Sequence, residues 1–331
     1  MSADPVSGDA RLDAIFALLA AFVLAFGVAA CGGDADSSGD GGGETSVTAI
    51  EANPDDKGIE LTVGSKNSAE QSILGEIYAQ ALEAAGYTVN TDPRLGSARI
   101  GLKALEEGEI DGYPEYASTA LTSFFGFAPE DVPGDAQQAY QDSLDEFAKK
   151  GLAPAAPTSF SSADAVGLLT STAEELDLAS IADLEGVSAD LTLAGSPECR
   201  QRIDCLQGLE DNYGLSFGEF TPVDIELRYE VLDKGDADLS ILFTTDGQLA
   251  ESDEYTLLED GQGLLPSGNV LFVASQEAVD RAGPDMLETV EKVQESLTLE
   301  VMQELNARLS LGREKPEAVA ADYLSEAGYV Q

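Results

Sequence analysis

The stretch GEIDGYPEYASTAL, residues 108–121, sets Tyr113, Tyr116 and Thr119 close together where a buried strand gives way to a helix. Two uses fit these residue types. The rings can fill a core. Alternatively, an aromatic face can hold a cation, at roughly 0.5–2 kcal/mol per ring, beside a hydroxyl that takes the polar end of a ligand.

Composition narrows the chemistry around that stretch. The chain has 331 residues, and 62 acidic against 17 basic side chains leave a net charge of −45. Phosphate would be repelled, so nucleic acid is excluded as a partner. Most of these acids read as a solvated surface, suited to a protein outside the cytoplasm or in strong salt. There is no histidine, which removes His-based triads, general bases and metal sites. With 62 acids, a carboxylate pair picked by spacing carries no meaning. No enzyme activity, metal or cofactor is expected. A hydrophobic fraction of 43% still argues for a folded protein, and the length for two lobes.

Residues 14–30 read AIFALLAAFVLAFGVAA, with Arg11 ahead and Cys31 directly after. The junction VAAC resembles a bacterial lipobox. The expectation is a signal peptide over 1–31 and lipidation of Cys31, leaving the protein anchored to the outer face of the membrane. An uncleaved spanning helix is the alternative, and 17 residues are at its short limit. Residues 32–57 read as an acidic Gly/Ser tether reaching roughly 25–30 Å. In an oxidising compartment Cys199 and Cys205, in SPECRQRIDC, are expected as a disulfide. Two thiols without histidine do not make a metal site.

The elements that would carry the aromatic stretch occur twice. LEEGEID (105–111) matches LDKGDAD (232–238), ELTVGS (60–65) matches DLTLAGS (190–196), and AGYTV (85–89) matches YGLSF (213–217). The order is kept and the offset is nearly constant, which predicts two lobes of one topology. In the first lobe, IELTVGS alternates as a strand. SAEQSILGEIYAQALEAAG follows as a helix with a Ser68–Gln71 capping box, Ile73, Ile77, Ala81 and Leu82 on one face, and Gly86 as its stop. YTVNT is the next strand, IGLKALEEG the next helix, and EIDGYPEY a strand-like exit. Such alternation predicts an α/β fold with mostly parallel sheets, whose ligands bind beyond the carboxyl ends of strands. Adding the repeat offset to Tyr116 lands on Phe243, so each lobe places one ring at the same strand end.

The blocks GSKNSAEQ, GEIDGYPEYASTAL, SPECRQRIDC and ILFTTDG together resemble substrate-binding proteins of ABC importers, closest to the glycine betaine, choline and osmoprotectant group. The resemblance runs from residue 59 to about 328. It implies a periplasmic-binding-protein-like fold: two α/β lobes joined by two crossing strands, with the ligand between them and a permease, driven by a cytoplasmic ATPase, as partner. Lobe I is expected over 58–157 and 266–331, and lobe II over 158–265. The crossings are expected near 152–160 and 261–268, and the C-terminal helices should return to lobe I.

The same resemblance assigns roles. Lys66, Thr119 and Arg202 match residues that hold a ligand carboxylate, and Asn67 and Gln71 belong to the same block. Gln71 is read either as a ligand contact or as the capping box alone. Tyr116 and Phe243 match two members of an aromatic box for trimethylammonium. The other two positions fall at Asp164 and near Ser267, neither aromatic. Asp164 is therefore expected at the pole opposite Arg202, where it would accept N–H bonds from an amine. The implied ligand is a zwitterion: glycine betaine, choline or a relative, with amino acids as the alternative.

Overall fold

In the computed structural model, which describes residues 48–330, the chain winds twice through one series of elements. Strand β1 (Glu60–Ser65) is followed by helix α1 (Ala69–Ala85), β2 (Thr88–Pro93), α2 (Ala98–Glu106) and β3 (Gly112–Tyr116). Short strands β4 (Leu152–Pro154) and β5 (Ser161–Ser162) lead to β6 (Asp164–Leu169) in a second sheet. There β7 (Thr192–Gly195), α3 (Leu206–Tyr213), β8 (Glu219–Pro222), α4 (Arg228–Asp233) and β9 (Leu239–Phe243) repeat the series. Strand β10 (Tyr255–Leu257) completes that sheet, and β11 (Gly268–Ser275) returns to the first. Helices α5 (Asp285–Gln294), α6 (Leu299–Ser310) and α7 (Pro316–Glu326) follow.

The sheet orders make the repeat explicit. One runs β2-β1-β3-β11-β4 and the other β8-β7-β9-β6-β10. In both, the first two pairings are parallel and the last two antiparallel, so the sheets are mixed and not mostly parallel as the alternation predicted, because β6 and β11 each enter a sheet from a crossing and run against its parallel strands. The likeness reaches single bonds. Asp111 Oδ2 accepts from Thr62 N at 2.7 Å, and Asp238 Oδ2 accepts from Thr192 N at 2.8 Å. The helix-ending glycines Gly108 and Gly235 have φ of 73° and 69°, a conformation that a Cβ disfavours. The sequence repeat thus corresponds to two copies of one α/β unit, as expected.

Helix α1 forms for the reasons its sequence carries. Ser68 Oγ accepts from the Gln71 backbone N–H at 3.3 Å, and Ile73, Ile77, Ala81 and Leu82 are fully buried at helical spacing. Each large apolar side chain buried there contributes about 1.5–3 kcal/mol. The capping box, however, is half-formed: the Gln71 side chain does not return to the Ser68 backbone and has no partner at all. Helix α1 packs with α5, α6 and α7 on one face of the first sheet. Leu102, Leu105, Ile110, Tyr113 and Phe147 cover the other face. The second sheet has its own core around Val166, Leu168, Leu193 and Leu239. Helices on both faces of each sheet fit an α/β architecture.

The chain leaves the first sheet after β5, at Ser162, and joins the second at Asp164, and it returns between Leu257 and Gly268. At this crossing β5 pairs with β11, Ser162 opposite Gly268. A disulfide joins Cys199 and Cys205, whose Cα atoms are 5.2 Å apart.

The tether boundary is corrected as well. Residues 49–57, read as the end of a free tether, belong to the folded domain. Ile50 N donates to Tyr329 O at 2.8 Å, Asn53 N to Ala85 O at 2.7 Å, and Lys292 Nζ to Ala49 O at 2.9 Å. Asn53 Nδ2 also donates to Asp285 Oδ2 at 2.8 Å. The export segment and Cys31 lie outside the described residues. Among the described residues no helix is long and apolar enough to cross a membrane.

Candidate ligand-binding cleft

Strand ends deliver the candidate residues to one place. Lys66 and Asn67 follow β1, Tyr116 ends β3, and Thr119 comes one turn later. From the other sheet, Asp164 opens β6 directly opposite Phe243, which ends β9, and Arg202 follows β7 in the loop closed by the disulfide. All seven, with Gln71, line a single cavity of about 100 Å³ between the lobes. Ser118, Ser162, Asp204, Glu198, Leu265 and Pro266 complete much of its wall. The two tyrosines face different surroundings. Tyr113 is core: it is fully buried, and its hydroxyl donates to Glu115 Oε2 at 3.1 Å. Tyr116 and Thr119 face the cleft.

Both cleft cations are already paired. Lys66 Nζ donates to Glu115, a fully buried carboxylate that also accepts from the Tyr116 backbone N–H at 2.8 Å. Arg202 donates Nε and Nη2 to the two oxygens of Asp204 at 2.8 and 2.9 Å, a two-point fork. Asp204 Oδ2 accepts as well from Thr122 Oγ1 of the first lobe at 2.8 Å, so this carboxylate ties the lobes together. Burial raises the Asp204 carboxyl pKa, but the bonds and charge of Arg202 and the Thr122 bond hold it below its ordinary value.

Asp164 requires a correction. It does not stand alone at the far pole: its Oδ2 is 3.0 Å from Arg202 Nη2. Burial still pushes its carboxyl pKa up, against the opposing charges of Arg202, Arg228 and Lys66. Leu265 and Pro266, beside Ser267, line the cavity there.

The two rings carry cations supplied by the protein. Lys66 Nζ sits 4.8 Å from the Tyr116 ring centroid, and Arg228 Cζ sits 3.9 Å from that of Phe243. Arg228 is held there by Asp246, 2.5 Å away, whose other oxygen accepts from Tyr229 OH and Phe243 N at 2.9 Å each. The TDG turn therefore fixes the Phe243 ring. Gln71 has both amide atoms buried and unpartnered while lining the cavity.

Sequence reasoning missed Glu115, Asp204 and Arg228. Glu115 carries a usable signal: an acid at every-other spacing with a buried ring, in a strand enclosed on both faces, needs a cation. Arg228 carries none, since it opens an ordinary short helix.

The OpuAC family, described as the substrate binding domain of ABC-type glycine betaine transport systems, matches residues 59–326. The chain belongs to this family. A glycine-betaine-binding protein of Pseudomonas aeruginosa is 31% identical over 277 residues, covering 80% of this chain and 87% of the relative. An ergothioneine transport permease/ergothioneine binding protein of Helicobacter pylori is 27% identical over 81% of this chain and 48% of that protein. A crystal structure of a glycine betaine/carnitine/choline ABC transporter protein superimposes with a TM-score of 0.64 at 25% identity, covering 81% of this chain and 99% of the other. OpuAC members are substrate-binding transport proteins, and the two-lobed fold expected from the sequence is theirs.

Proposed function

We propose that the protein captures an osmoprotectant, glycine betaine or a related zwitterion, outside the cytoplasm and delivers it to an ABC permease without chemical change. The observation that carries this reading is the convergence of Lys66, Asn67, Gln71, Tyr116 and Thr119 from lobe I with Asp164, Arg202 and Phe243 from lobe II on one cavity. Lobe I is taken as 58–157 with 266–331, extended at its start to residue 49, and lobe II as 158–265. Arg202 commits Nε and Nη2 to carboxylates, leaving Nη1 for a ligand carboxylate beside Lys66 and Thr119. The rings of Tyr116 and Phe243 and the Gln71 amide meet the rest of the molecule. Ligand contacts to both lobes stabilise the closed state, the form that docks on the permease. A lipid on Cys31 would hold the domain at the membrane.

A second reading has one observation in its favour. The Tyr116 and Phe243 faces already hold Lys66 and Arg228, which disfavours a bare trimethylammonium there and favours a ligand whose cation carries N–H groups, such as an amino acid. The same receptor could then serve uptake or a membrane sensor. Calorimetric titration with glycine betaine, choline, carnitine, ectoine, proline and common amino acids at high salt separates these. Binding of glycine betaine supports the first reading. Binding confined to primary or secondary amines supports the second. Loss of solute uptake on deletion distinguishes transport from sensing.

A further inference from the structure

Glu70 stands next to Gln71 but does not line the cleft. It is 4% exposed, and no lysine or arginine pairs with it among the described residues. Its partners are unusual in where they come from. Oε1 accepts from Tyr116 OH, the ligand-site ring, at 2.6 Å. Oε2 accepts from Asn306 Nδ2 on α6 at 3.0 Å. The same Asn306 Nδ2 donates to Thr245 O at 2.8 Å, in the turn after β9 that belongs to the second lobe. The Thr245 hydroxyl is a further hydrogen-bonding neighbour of the Glu70 carboxyl and meets Ser162 Oγ of the crossing strand at 3.0 Å.

Around this group the second lobe rests on α6. Gln303 Nε2 donates to Thr244 O at 3.1 Å. Gly247 packs so closely on Ala307 that a Cβ there would lie 2.4 Å from the Ala307 Cα. The turn over 243–247 carries Phe243 at one end, so the group holding the Tyr116 ring also reaches, through Asn306, the mount of the facing ring.

We infer that Glu70 is a positioning residue of the ligand site, whose single carboxyl sets the Tyr116 ring and the docking of the 244–247 turn on α6 together. One oxygen serves the ring and the other serves the interlobe contact, so a change at either end is felt at the other. This rests on the cleft being the ligand site. It adds a residue that touches no ligand yet governs both faces presented to it.

The test uses the full chain and begins without ligand. Hydrogen–deuterium exchange is followed at the Asp246, Leu249 and Ser252 amides in wild type, Tyr116→Phe, Glu70→Gln and Asn306→Ala. Tyr116→Phe keeps the ring but removes the hydroxyl. It makes no hydrogen bond to the 244–252 segment, yet it should raise exchange there by about tenfold, leaving β7 and α3 unchanged. Unchanged protection in Tyr116→Phe overturns the inference, whether or not Glu70→Gln folds. Glycine betaine titration supplies the second arm. Asn306→Ala should weaken binding about fivefold in wild type but less than about twofold in Tyr116→Phe, because the two act through one carboxyl. Additive losses overturn it. If wild type does not bind glycine betaine, the ligand reading fails while the exchange arm still decides the role of Glu70.

Discussion

Arg202 and Asp164 face the cleft as a pair, 3.0 Å apart, rather than as opposite poles. Asp164 therefore offsets part of the positive charge that Arg202 would show to a ligand carboxylate. Asp164→Asn removes that offset. The effect favours glycine betaine over choline, which has no carboxylate. The ratio of their affinities should rise about tenfold, the order of one charge-assisted hydrogen bond. Paired calorimetric titrations check this, and an unchanged ratio removes Asp164 from the site.

Arg202 lies inside the loop closed by Cys199 and Cys205, and both sulfurs are buried in the second-lobe core. A short disulfide loop of this size stabilises by about 2 kcal/mol in the chain-entropy account. Replacing both cysteines by alanine should lower the unfolding midpoint and also loosen the Arg202–Asp204 fork. The expected result is weaker binding of a carboxylate ligand by several-fold at a temperature where the variant is still folded. Circular dichroism with titration at that temperature measures both, and full affinity in a folded variant would confine the disulfide to stability.

Much of this site was legible because its residues sit at strand ends next to local signals. Lys66, Gln71, Tyr116 and Thr119 lie in two short blocks, and the repeat pointed from Tyr116 to Phe243. Strand alternation could also have separated Tyr113 from Tyr116. Three positions apart in a strand, they face opposite sides of the sheet, and they do pack into different cores. What stayed hidden are pairings across many residues. Lys66 meets Glu115 across β1 and β3, and Arg202 meets Asp164 across β7 and β6, so no local pattern shows that the charges cancel. Residues 49–57 are polar and read as tether. Their anchors, Ala85, Asp285 and Tyr329, lie far along the chain.

The charge of −45 predicts a response to salt. Repulsion among exposed carboxylates opposes the compact state, and the screening length shortens from about 10 Å at 0.1 M to about 3 Å at 1 M salt. Relieving each kcal/mol of repulsion should raise the unfolding midpoint by about 2–4 °C. Thermal unfolding between 0.1 and about 2 M sodium chloride should therefore show a steady rise (conditions chosen to span that change). A flat or falling midpoint would mean that the acidic surface is not under net strain.

Glu70 makes a separate prediction for pH. Burial raises its carboxyl pKa above the ordinary 4.5, opposed by the bonds from Thr245, Tyr116 and Asn306 and reinforced by the charge of Asp246. Tyr78 is a further titratable neighbour, its own pKa raised by burial and by Glu70. Because the folded value is the higher one, the folded state binds the proton more tightly. The stability this contributes is full below pH 4.5 and is lost as pH rises through the folded value. Glu70→Gln cannot titrate there. The midpoint of wild type relative to Glu70→Gln should therefore fall as pH is raised from about 4.5 towards 8, at fixed high salt to suppress the general repulsion. Parallel melting curves measure that difference. A difference that stays constant across the interval would show that Glu70 keeps one charge state throughout, and that its bonds to Tyr116 and Asn306 offset the burial that separates them from water.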